Sequence, residues 1–161
     1  MGKAIISFVC LISVSGVHAP AQTAHVTAAI NLQLNGTISL TKVRDLNMGF
    51  IIQGMTSTTI DPINGDGEAA YFIFVGEPNL PVFVSFSSSS LTNGIDNIAL
   101  TASVAGNSES AQRDAILLTE GTEVITSPDG TYYFWGGGTA ALSQAQPFGI
   151  YTGTFTLSIT Y

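Results

Sequence analysis

Phe155 to Tyr161 read FTLSITY. Phe155, Leu157, Ile159 and Tyr161 alternate with Thr156, Ser158 and Thr160. Successive side chains of an extended strand point to opposite faces, so this period of two predicts a half-buried β-strand. The stretch has neither a charge nor a proline. A strand so unprotected, if it lies at a sheet edge, is a template for another chain.

A second stretch of the same kind lies at the other end of the sequence. In HVTAAINLQL, His25 to Leu34, the residues Val26, Ala28, Ile30, Leu32 and Leu34 fall on one face, again without charge or proline. Asn35-Gly36 then signals a turn, and the apolar residues of Thr37 to Ile52 suffice for two strands. Asp61 to Glu68, DPINGDGE, reads as a polar loop, and Ala70 to Val75, AYFIFV, is apolar on both faces and so predicts a central strand. Val82 to Phe86 and Ile98 to Val104 follow as strands, separated by the Asn93-Gly94 turn.

Ala105 to Asp114 is expected to be an exposed loop, with short strands at Ala115–Leu118 and Glu123–Thr126. Ser127-Pro128-Asp129-Gly130 is a tight turn returning through Thr131 to Trp135. Gly136-Gly137-Gly138 is expected to weaken the end of that strand as a bulge or sheet corner. No amphipathic helical period of useful length interrupts the pattern. About seven to nine short strands separated by turn signals predict a β-sandwich.

Composition narrows what such a sandwich could do. Charged residues make up 9% of the 161, with 4 Lys plus Arg against 11 Asp plus Glu, for a net charge of −7. Cations this scarce exclude nucleic-acid binding through phosphate neutralisation and leave no polybasic patch for an anionic membrane. At the N-terminus, Lys3 precedes an apolar run, and Ala19-Pro20-Ala21 supplies an A-x-A cleavage site. Residues 1–21 therefore read as a secretory signal peptide, and the run is too short to span a bilayer of about 30 Å. The one cysteine, Cys10, lies inside it, so the exported chain would carry no disulfide and no membrane span. Residues 22–35 form an N-terminal extension and residues 36–161 the sandwich domain.

Catalytic chemistry has little to work with. One histidine, His25, would remain near the new N-terminus, and Ser87 to Ser90 lack a G-x-S-x-G elbow. No catalytic residue, zinc site or cofactor is expected. Asp61, Asn64, Asp66 and Glu68 are the one metal candidate: oxygen ligands on a glycine-containing loop suit calcium, although the spacing is not that of an EF-hand. The alternative is a plain acidic turn. Tyr132, Tyr133 and Trp135 could form a stacking platform for a sugar, or could cover the core and edge of the sandwich.

The stretches SLTKVRDLNMGFI (Ser39 to Ile51), FIFVGEPNLPVFVSF (Phe72 to Phe86), LTNG (Leu91 to Gly94) and YTGTFTLSITY (Tyr151 to Tyr161) together resemble a family of exported bacterial domains of unknown function. The ending is also similar to those of spore coat U and Csu-type archaic chaperone–usher pilins, whose terminal strand finishes at or next to an aromatic. The resemblance implies an all-β, immunoglobulin-like β-sandwich that serves as a structural subunit of a surface fimbria or coat, with no catalytic residues. On this expectation Val26, Ala28, Ile30, Leu32 and Leu34 form a donor strand inserted into the next subunit. Phe155, Leu157, Ile159 and Tyr161 line the acceptor groove, first covered by a periplasmic chaperone, with an outer-membrane usher as a further partner. The rival expectation is a monomeric secreted adhesion or carbohydrate-binding module.

Overall fold

Ala70–Val75 forms β3, and its apolar character on both faces matches a place inside the larger of two antiparallel sheets. The computed structural model describes residues 37–161. The expected signal peptide, at 1–21, and donor strand, at 22–35, lie outside them.

The strands are β1 (Ser39–Arg44), β2 (Ser57–Ile60), β3, β4 (Pro81–Ser88), β5 (Leu91–Thr92), β6 (Asn97–Asn107), β7 (Ile116–Leu118), β8 (Thr122–Ile125), β9 (Thr131–Ala141) and β10 (Phe155–Thr160). The one helical element among the described residues is a 3-10 turn at Gln112–Asp114. The larger sheet runs β1-β3-β9-β6-β5, with β2 also on β9 and β7 on β6; the smaller runs β10-β4-β8. Every ladder is antiparallel. The fold is therefore all-β, a sandwich of two sheets.

Phe72, Phe74, Val104, Tyr132 and Phe134 from the larger sheet meet Val82, Val84, Val124 and Leu157 from the smaller. Phe74, Phe134, Val82, Val84 and Val104 are fully enclosed, and burial of each such side chain contributes about 1.5–3 kcal/mol. With no charge among them, this apolar layer holds the sheets together.

Three local expectations need correction. Residues 45–56 contain no second strand: they leave β1 as irregular chain that reaches Ser57. The expected loop at Ala105 to Asp114 starts only after Asn107, because Ala105 and Gly106 are buried in β6 opposite Trp135 and Phe134. The triple glycine does not end its strand. β9 passes straight through it, with β3 paired to its first half and β2 to its second. The chain makes an excursion at 61–69 between Ile60, opposite Gly138, and Ala70, opposite Gly136. The missing side chains let neighbouring backbone and rings approach β9 from both faces.

The two long sides of the sandwich differ. On one, β7 passes to β8 through a turn of three residues, in which Thr122 Oγ1 accepts the Thr119 N–H (3.1 Å) and Gly121 takes φ +77°. There the Glu120 carboxylate accepts the Phe86 N–H (2.9 Å), so β4 is capped beyond the end of β8. On the other side stand β1 and β10, each the terminal strand of its sheet.

Candidate functional site

Among the described residues, β1 and β10 are edge strands with no partner on their outer sides, and a gap lies between them. On β10, Phe155 lies opposite Ser88, Leu157 opposite Phe86 and Ile159 opposite Val84. Directly opposed residues share a face, and Val84 is fully buried, so this row points into the sandwich. Tyr161 follows with the same parity. Leu157 is buried and Phe155 stacks on Phe72, with ring centroids 6.0 Å apart. Ile159 is only half-buried and Tyr161 is 45% exposed. Phe155, Leu157 and Ile159 thus form one inward row, and Tyr161 follows just past the end of the strand.

Across the gap, Leu40 lies opposite Phe74 and Lys42 opposite Phe72, so both face inward, whereas a bulge between Lys42 and Arg44 sets Arg44 opposite Tyr71 on the outer face. Yet Ile38 is 40% and Leu40 37% exposed. Inward-facing aliphatics this open mean that nothing among the described residues lies between the two edge strands. The edges are not equivalent. β1 carries Lys42 on its inward row, with Nζ 2.6 Å from Asp45 Oδ1; Arg44, past the bulge on the outer face, donates Nε to the Ala69 carbonyl. Inward-pointing charge protects an edge from addition. β10 has no such guard.

The aromatic cluster divides by face. Tyr132 is buried, tilted against Phe134 with centroids 4.9 Å apart, and burial raises its phenol pKa. Trp135 is 3% exposed and stacks on Tyr71 at 5.4 Å. Tyr133, half-buried, completes a three-ring cluster, stacked on Tyr71 at 6.4 Å and tilted against Trp135 at 6.5 Å. Tyr71, whose hydroxyl shares a hydrogen bond with Ser110 Oγ (2.9 Å), was not part of the sequence-based site. The β3–β9 register places it opposite Trp135. These rings face one another, and neither Tyr132 nor Trp135 offers a free face to a sugar.

The acidic loop is occupied by its own chain. Asp61 Oδ2 accepts from the Asn64 side-chain amide and Oδ1 from the Ile63 N–H, both at 2.8 Å, and these bonds lower the Asp61 pKa. Asp66 pairs with Arg113, whose Nε lies 3.2 Å away, and Glu68 contributes backbone bonds to Gly65 and Asn47. No group of three or more acidic, histidine or cysteine side chains gathers among the described residues.

A cleft of about 810 Å³ continues the β1–β10 gap at one end of the sandwich. It is walled by the segment after β1 and the segment before β10, with Leu46, Met48, Phe50, Phe148 and Ile150 among its lining. Sequence reading missed it. The signal was present in FIIQGM (Phe50 to Met55) and PFGI (Pro147 to Ile150), apolar runs in glycine- and glutamine-bearing chain without strand period.

A family model described as a domain of unknown function, DUF4402, matches residues 38–161. No curated protein matches the chain.

Proposed function

We propose that this chain, which belongs to the DUF4402 family of domains of unknown function, is an exported structural subunit that polymerises into a surface fimbria or coat by strand exchange. The observation that carries the reading is the unguarded edge of β10. Among the described residues, nothing completes the cover of its inward row or of the inward aliphatics of β1 across the gap.

A strand that fills this gap needs an apolar residue at every second position and no charge. Val26, Ala28, Ile30, Leu32 and Leu34 meet that requirement. Their burial would contribute roughly 5–10 kcal/mol from apolar area, with main-chain bonds in addition. A two-residue hairpin would put the ribbon out of register for filling its own domain. A two-residue turn at Asn35-Gly36 would set Gln33 opposite Ile38 and Asn31 opposite Leu40. Polar residues would then face the gap and Leu32 and Ile30 would face away, since a one-residue slip inverts a strand. A second copy, free to choose its register on β10, has no such restriction. A periplasmic chaperone would cover the same edge before assembly.

Removal of residues 22–34 tests the reading. The truncated protein should remain a folded monomer, and negative-stain microscopy should show fibres only for the full chain. Fibres from the truncated protein would overturn the proposal.

A further inference from the structure

Resting on strand exchange at β10, we infer that the cleft beside Phe155 receives the body of the donating copy, so that subunits stack pole to pole. β1 begins at Ser39 opposite Val75, and β10 ends at Thr160 opposite Phe83. Five residues, Gly76 to Leu80, join β3 to β4, so Val75 and Pro81 share one pole of the sandwich, and the start of β1 and end of β10 share it with them. The cleft lies at the opposite pole, where Leu46 follows β1 and Phe155 opens β10.

The cleft is built for burial that the described residues do not supply. Phe50, Ile52, Phe148 and Ile150 are 107%, 77%, 83% and 86% exposed, and Glu68 is the one charged residue in its lining. Apolar surface concentrated in this way marks an interaction site.

The length of the tether identifies the occupant. Every ladder in this fold is antiparallel. A ribbon laid antiparallel on β10 has Val26 toward Tyr161 and Leu34 toward Phe155. Five apolar residues meet four inward positions, so Leu34 passes beyond Phe155 and arrives at the cleft. From there Ser39, the start of the donor's β1, is five residues on, a span of at most about 18 Å. The donor body is therefore held against the cleft. It presents the pole at which its own β1 begins, where Val75, Ile125 and Tyr161 are 42%, 59% and 45% exposed. Unlike poles meet, so the contact is heterologous and does not close: it propagates a filament.

Cysteine cross-linking of the full chain, with Cys10→Ser, tests the inference. In Thr37→Cys/Phe148→Cys the two thiols of one chain sit at opposite poles, about 20 Å apart along β1, and a disulfide needs Cα atoms within about 7 Å. Mild oxidation should give a ladder that survives boiling without reductant and collapses to monomer with it. An unboiled ladder without covalent cross-links would overturn the pole contact and leave strand exchange standing. A disulfide confined to the monomer, or no ladder of either kind, would overturn both.

Discussion

Gly137 leaves the space that Pro62 fills: a Cβ at Gly137 would stand 2.9 Å from the Pro62 ring Cδ and 2.2 Å from the Ile60 carbonyl oxygen. The excursion between β2 and β3 can press on β9 only where β9 has no side chain. Gly137→Ala is expected to destabilise by about 1–3 kcal/mol, read as a lower urea midpoint at constant m. Gly67→Ala, with open space around it but φ +82°, should cost about 1 kcal/mol. Equal losses would argue against close approach as the reason for Gly137.

Thr126 is 2% exposed, and its hydroxyl accepts the Leu80 N–H and donates to the Glu77 carbonyl, both at 2.7 Å. Thr126→Val keeps the shape and orphans both backbone groups. Both groups are part-buried, so the loss should be about 1–3 kcal/mol in total, and Thr126→Ser should recover most of it. Thermal denaturation of the three proteins side by side checks this, and a Val variant as stable as the Ser variant would contradict it.

Trp135 lies under Tyr71, closed to solvent. Its emission should be blue-shifted, nearly insensitive to iodide, and unchanged through a saccharide titration. A saturable response to a glycan would instead favour the carbohydrate-binding alternative.

Asp129 receives hydrogen bonds first from the Ser127 hydroxyl and then from Thr131, which lower its pKa from the ordinary 3.8. A carboxyl with a depressed folded-state pKa contributes stability that is complete above its unfolded value and disappears as pH falls through the folded one. The Tm gap between the native protein and Asp129→Asn should thus be full at pH 7 and shrink steadily below 3.8. A gap independent of pH would assign the effect to something other than the ionised carboxylate.

Asp61 and Asp66 are engaged by Asn64, Ile63 and Arg113, so chelator should leave the Tm unchanged. The Asp66–Arg113 pair is exposed, and Arg113→Ala should cost less than about 1 kcal/mol. A Tm raised by added calcium would restore the loop as a metal site.

Much of the fold was legible residue by residue. AYFIFV, VFVSF and FTLSITY became strands because their periodicity is local and complete. Ser127 to Gly130 became a turn because its dihedral demands are local too. The errors arose where apolarity or glycine had two meanings. Phe50 and Ile52 looked like strand residues but line a cleft, and Gly136 to Gly138 looked like a break but admit the Phe155 ring, Pro62 and the Thr101 carbonyl to a continuous strand. The partnership of Tyr71 with Trp135 depends on pairing across 64 positions, and no window of sequence contains it.

By itself, the order of residues determined which faces of β3, β4 and β10 are apolar, and with that the all-β class, because side-chain alternation follows from backbone geometry alone. Only the tertiary structure decided that β7 and β8 close one side while β1 and β10 stand apart on the other. Which hydrogen-bonding edges find partners depends on strands distant in the chain, and the residues of an edge strand read the same whether it is paired or bare.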